Sequence, residues 1–447
     1  MNGRSPYAAA LVPADRRPQA PTQLQSNPQM NWRSHASSRP LAAIERLVLW
    51  LVGFSGGFVF IEPAPYEFVI AFAALLFFAS GIVLRPGHLP LLALLALCNI
   101  GYLIGVVPVV TADGTVMWTA VSLFMSASTL FFALAMADDA AARLDMLLKG
   151  YVAVAIVISV FGILTYFHLL PGSDDFLFAQ RSRATFKDPN VLGAFLVLPV
   201  VLSLQRMMMG RPRDVLIGGL MTLVMAIELL LAFSRGAWAA AFAAAAGMLW
   251  LTFLTAPSLT ERLRVVAFAT AGTAVFAVVI VAMISIPQVR DLFMERANLI
   301  QSYDAGRFGR FGRHILGAQV ALENPLGIGP LQFSRQFPED PHNSFLDAFM
   351  AGGWLSGAAW FALIAATVLV GLRFVFVNVP WRRPYIALYV SFLALTGESY
   401  LIDVEHWRHY FLLIGVLWGL FLAARAEKAV LADSVGDHDT ARIKLMT

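Results

Sequence analysis

The sequence predicts an all-α fold: a polytopic bundle of about twelve transmembrane helices with one long loop on the extracytoplasmic side. Three observations carry that expectation. Of 447 residues, 59% are hydrophobic and only 13% are charged, whereas about a quarter of the residues in a soluble domain are charged. Mean hydropathy is +0.71. Apolar stretches of roughly 20 residues, the length a bilayer requires, recur along the chain, with arginines in the short connections between them.

The elements follow in order. Residues 1–40 are rich in Pro, Gln, Ser, Asn and Arg and lack the apolar run of a cleaved signal, so they read as a disordered cytoplasmic tail. Spans are expected near 43–61, 66–84, 89–109, 115–136, 150–170, 190–207, 214–233, 236–255, 265–286, 344–372, 385–402 and 408–424. They make up a transmembrane domain over 41–425, followed by a cytoplasmic C-terminal tail at 426–447 with Lys428. Arg33, Arg39 and Arg46 precede the first span and place the N-terminus inside. Alternation then puts "RMMMGRPR", "ERLR" and "PWRRP" on that same side, where the positive-inside rule wants them. These loops account for the net charge of +4 without a nucleic-acid partner. The only cysteine, Cys98, lies in an apolar run and excludes an intrachain disulfide.

Three segments on the opposite side carry cations against that bias: 171–189, the turn 233–236, and the long loop 287–343. In "QRSRATFKDPNVLGAFLVLP", Arg181, Arg183 and Lys187 precede a helix start with Asp188 as N-cap and Pro189 as first residue. A helix N-terminus with cations before it suits an anion, although an ordinary capped loop also explains Asp-Pro-Asn. In "AFSRGAW", Arg235 falls at a helix end, with Gly236 expected to allow the tight turn. For Arg235 alone, a snorkelling side chain is an equal explanation. Glu228, an ionisable residue inside a span, is expected to have a buried polar or arginine partner.

The long loop holds an amphipathic helix over about 307–323, "RFGRFGRHILGAQVALE". Arg307, Arg310, Arg313 and His314 share one face, with Ile315, Leu316, Ala318 and Leu322 supplying apolar contacts. A solvated basic face is the plain alternative for Arg307 and Arg313. "ENPLGIGP" stops the helix. His342, followed by Asn343, leads into the next span, where the helix dipole should favour neutral imidazole. Clustered guanidinium groups on one face suggest a phosphate or pyrophosphate ligand, and an adjacent neutral imidazole a general base.

Four blocks, "RATFKDPNVLGAFL", "AFSRGAW", "GRFGRHILGAQVALENPLGIGP" and "PHNSFLDAFMAGGWLSG", occur in this order over about 180–365. With that series the chain resembles the O-antigen ligase and polymerase family of bacterial envelope glycosyltransferases. The resemblance implies a GT-C-like bundle in the bacterial inner membrane with its active site facing the periplasm. It implies a glycan donor on undecaprenyl pyrophosphate and, as acceptor, a sugar hydroxyl of lipid A–core (ligase) or of a growing polysaccharide (polymerase). It further implies a metal-independent, inverting transfer. By position, the family's functional residues fall on Arg183, Arg235, Arg310 and His342. His314 stands where members often have tryptophan, and Lys187 where a small residue is common.

On this reading Arg235 and Arg310 stabilise the leaving diphosphate and His342 is the base. Arg181, Arg183, Lys187, Arg307, Arg313, His314 and Asn343 then line the substrate site. No convincing metal-ligand spacing is found at Asp174-Asp175 or Glu339-Asp340, although His342 close after the second pair leaves a metal there as the lesser alternative, and no cofactor fingerprint occurs. Glu398 and "VEHWRH" either line the same cavity or pack. A transporter of lipid-linked oligosaccharide would need charges along a mid-membrane path and internal repeats, and neither is visible. A scaffold subunit whose arginines meet anionic lipid is the third reading.

Overall fold

The computed structural model describes residues 39–297 and 306–446. The expected tail over 1–38 with Arg33, the loop centre 298–305, and Thr447 lie outside the described residues, as do the side chains of Arg39, Arg296 and Lys428. Helices are α1 (Arg39–Ser55), α2 (Pro65–Ala79), α3 (Leu89–Val106), α4 (Thr115–Met136) and α5 (Ala140–Tyr166). Then come α6 (Pro189–Met209), α7 (Pro212–Leu231), α8 (Arg235–Thr255), α9 (Leu259–Ile284) and α10 (Pro287–Ala297). The last five are α11 (Arg310–Glu323), α12 (Phe333–Gln336), α13 (Ser344–Val375), α14 (Arg382–Glu398) and α15 (Arg408–Met446). Strand structure among the described residues is one short antiparallel hairpin, β1 (Leu177–Phe178) with β2 (Arg181–Ser182).

Each expected span falls on a helix, and nine of the described helices are long and apolar enough to cross a membrane. The protein is an all-α, multi-pass membrane protein. The helices at the other three expected spans, α1, α2 and α14, hold 17, 15 and 17 residues, short of the roughly 20 a bilayer core requires. Two further differences concern the ends. Residues 140–149, expected as loop, form the first turns of α5. The expected C-terminal tail continues α15 as helix to Met446.

Burial sorts the bundle. The apolar window of α15 is 83% buried and that of α6 72%, against 6% for α9, so α6 and α15 are central and α9 lies at the rim. Without a hydrophobic drive between helices in lipid, close packing needs small residues. Between α1 and α5, Gly53 abuts the Leu147 carbonyl and Gly150 the Trp50 carbonyl, leaving no room for a Cβ at either.

Helix α13 is broken. Gly352 and Gly353 leave helical geometry, Gly353 at φ 69°, ψ −166°, a region open almost only to glycine. The freed backbone groups are taken by the loop after α11: Trp354 N–H donates to the Pro325 carbonyl at 2.9 Å, and Ile328 N–H to the Met350 carbonyl at 2.8 Å. Irregular backbone inside a bundle needs such partners. The stretch "ENPLGIGP" thus does more than stop a helix: it fills the break in α13.

Contacts between connections fall into two groups. At one end, Glu45 pairs with Arg143 at 2.7 Å, Arg85 with Asp138 at 2.6 Å, and Arg383 with Glu261 at 3.6 Å. At the other, Lys187 pairs with Glu62 at 2.9 Å, Arg408 with Glu67 at 2.6 Å, and Arg335 donates to the Asp113 carbonyl at 2.8 Å.

Candidate active site

The second end of the bundle carries the candidate residues. Helix α11 is amphipathic with its faces reversed from the usual arrangement. Phe311, Ile315 and Leu322 are 57%, 65% and 70% exposed, while Arg313 is 2% exposed. At about 100° per residue, Arg310, Arg313, His314, Gly317 and Ala321 fall within an arc of about 100° on the inward side. This corrects two expectations. Ile315 and Leu322 do not pack on the bundle, although Leu316 does. Arg307 precedes the helix, which starts three residues later than its sequence suggests, and is exposed.

Inward placement gives the two arginines different surroundings. Arg313 Nη1 is bound to the Glu339 carboxylate and, at 2.9 Å, to the Asp340 carbonyl, so this end of the guanidinium closes the loop. Arg310 starts the helix and, with Arg313, is close enough to His342 for its charge to oppose protonation there. His314 lies half-buried against the backbone of Pro341 and His342, and burial pushes its pKa down.

His342 adopts the left-handed region at φ 53°, immediately before the N-cap Asn343. Its Nδ1 lies 2.8 Å from Asp403 Oδ2. That hydrogen bond raises the imidazole pKa above its ordinary value, against the opposing effects of burial, Arg313 and Arg310. The expectation that the helix end favours neutral imidazole is therefore overturned: a carboxylate in contact outweighs a helix terminus one residue further on. Burial alone would raise Asp403, but its hydrogen bond to His342 holds it below the usual carboxylate range.

Asn343, expected among the substrate-binding residues, is the N-cap of α13. Its side-chain oxygen accepts from Phe345 N–H and Leu346 N–H at 3.1 Å, and its amide donates to the Tyr400 carbonyl at 3.3 Å. Ser344 N–H donates to the Ser399 carbonyl at 3.0 Å, and Ser344 Oγ to Glu405 at 2.8 Å. The segment 398–405, for which the sequence offered only alternatives, is thus the hub of the site.

That hub also reaches Arg235. Phe233 takes the turn at φ 47°, and Ser234 caps α8 by accepting from Ala237 N–H at 3.3 Å. Gly236 is helical. Its missing side chain leaves room for the Glu398 carboxyl, so it serves close approach and not the turn. Arg235 is the first residue of α8, half-buried beside that contact.

The 171–189 segment is tied to the same end by architecture. Arg181 donates to the Ala232 carbonyl at 2.9 Å and to Asn190 Oδ1 at 2.8 Å, and is 7% exposed. Ser182 donates to Glu228 at 2.6 Å, giving that fully buried carboxyl the polar partner expected. Asp188 caps α6 as expected, accepting from Asn190 N–H at 2.6 Å, and this carboxylate occupies the helix end where an anion was considered. Arg183 donates to the Asp175 carbonyl at 2.7 Å, and Lys187 is paired with Glu62. Of the cations expected to bind substrate, Arg181 and Arg313 are buried in structural contacts.

Three groups, Asp347, Asp403 and Glu405, of which the sequence reading touched only Glu405 through "VEHWRH", bring oxygens within 4.8 Å of one another. Among the described residues they are the cluster with the geometry to hold a cation or share a proton. Burial and Asp403 push Glu405 up to about 8. The signal available was acidic residues in "SFLDAF" and "LIDVEH", two otherwise apolar stretches.

Residues 220–361 match the family model described as O-antigen ligase. The resemblance read from the sequence holds over this segment, which includes Arg235, Arg310 and His342; Arg183 lies before it. No curated protein matches the chain.

Proposed function

We propose that this protein is a membrane glycosyltransferase of the ligase type. It moves a glycan from undecaprenyl pyrophosphate to a sugar hydroxyl of lipid A–core at the periplasmic face of the bacterial inner membrane. The observation that carries the reading is the His342–Asp403 pair, at 2.8 Å, beneath a helix whose arginines point inward. Twelve crossings fit the contacts at the two bundle ends. Glu45 meets Arg143 at one end of α1, while Val59 N–H, beyond its other end, donates to the Thr185 carbonyl. Likewise α14 starts beside Glu261 and ends beside Ser344. These contacts support reading the short α1 and α14 as crossings beside the long helices.

In the proposed reaction the acceptor oxygen attacks the anomeric carbon as its proton passes to His342 Nε2. Asp403 holds the other ring nitrogen and stabilises the imidazolium. The bond from the anomeric carbon to the phosphate oxygen breaks on the opposite side, so the centre inverts. The departing undecaprenyl pyrophosphate takes the electron pair, and Arg310 and Arg235 offset its growing charge. Arg183 and Lys187 stand further out on the same end as donor-binding candidates, with Arg307 and His314 on the α11 side. Guanidinium groups supply the countercharge here, so transfer should persist in excess EDTA. A deletion strain tests acceptor choice: loss of all glycan from lipid A–core supports a ligase, whereas retention of single repeats with loss of long chains would replace it with a polymerase.

A further inference from the structure

We propose that the cavity beside the His342–Asp403 pair binds one sugar ring of the acceptor, neutral or amino-substituted, and rejects sugars carrying carboxylate or phosphate. This rests on the glycosyl-transfer reading and adds the acceptor class to it. The cavity measures about 280 Å³, at the small end for a ligand pocket and suited to a single ring. Three of its walls are aromatic, Trp118, Trp407 and Phe333. Such faces stack against the C–H side of a pyranose.

Its polar lining is one-sided. Asp340, Asp347, Asp403 and Glu405 face it, and no lysine or arginine does. Asp347 Oδ2 and Asp403 Oδ1 are shielded from solvent and have no hydrogen-bond partner within the protein. Buried acceptors left unmatched are costly, and a hydroxyl or ammonium group satisfies them. An anion placed there meets the ionised Asp403 and finds no lysine or arginine in the lining. His406, on the same wall, is held neutral by burial, which lowers it to about 4, and its Nε2 lies 2.9 Å from Ser122 Oγ. The arginines lie elsewhere, on α11 and at the start of α8. The site is therefore polarised: cations for the diphosphate on one side, carboxyls for a hydroxyl-rich ring on the other. Asp403 and Asp340 join the two, since Asp403 bonds His342, Asp340 feels its charge, and both line the cavity.

The test uses the full-length protein in nanodiscs and saturation-transfer NMR with methyl glucoside, methyl glucosaminide and methyl glucuronide. The first two should bind and the glucuronide should bind at least about tenfold more weakly, given like-charge contact. Asp347→Asn, close in shape, should reduce the preference for the glucosaminide over the glucoside. Gln332→Glu, a second variant at the cavity wall, should weaken the glucuronide further. Equal binding of the glucuronide would overturn the proposal. So would displacement of both other saccharides by Mn²⁺, which would make the carboxyl cluster a cation site. Absence of saccharide binding in protein that still transfers glycan sinks the pocket and leaves the enzyme reading standing. Selective binding in protein with no transfer activity supports the pocket and sinks the enzyme reading instead.

Discussion

His342 and its neighbours show what one residue's surroundings decide. General-base assistance is worth about 10²–10⁴-fold, so the proposed role of His342 predicts that His342→Ala lowers transfer by that range while the protein still purifies as folded; full activity would remove it from the reaction. The pH dependence follows from Asp403. In the proposed reaction the base is neutral imidazole, and Asp403 raises the pH at which that form appears above the ordinary value near 6.5. The acid limb of the rate profile should therefore lie above that value and move to lower pH in Asp403→Asn. The plateau should fall by roughly two orders of magnitude or more, because the ring tautomer is no longer fixed. An acid limb unchanged in Asp403→Asn would mean that another group controls it. At this scale His342 and Arg310 were legible as candidates, since a histidine and arginines are unusual in their places. Asp403 was hidden: it lies 61 residues away, and no local spacing links it to His342.

At the scale of elements, the break in α13 is the feature on which the site is hung. It seats the 325–329 loop, which follows the helix carrying Arg310, while the start of α13 carries Asn343 and Asp347. Gly353→Ala would force a side chain into a glycine-only conformation against the Pro325 carbonyl, at a cost of about 1–3 kcal/mol. Thermal unfolding in detergent should show a lowered midpoint, and an unchanged midpoint would mean the break relaxes freely. The helices themselves were legible, because apolar length is a local property. The reversed faces of α11 were not. Periodicity gives two faces but does not say which one meets the bundle, and here an apolar stripe is exposed while Arg313 is enclosed.

Across the whole molecule, charged connections sort to the two ends of the bundle, and the candidate residues all fall at one. Single cysteines in a Cys98→Ser background give a direct measurement. Position 339, on the Arg313 loop, should react with an impermeant maleimide in intact spheroplasts, and position 145 only after lysis. Labelling of both in intact spheroplasts would contradict the proposed topology.

Composition and the rhythm of apolar runs were enough to determine the class of fold and the placement of the helices. The order of four short blocks indicated the family, because such signals are carried by consecutive residues. Tertiary structure alone decided which cations face the site, which are enclosed in loops, and which carboxylate holds the imidazole. Those outcomes depend on contacts between residues tens to hundreds of positions apart, and such contacts exist only once the bundle has closed.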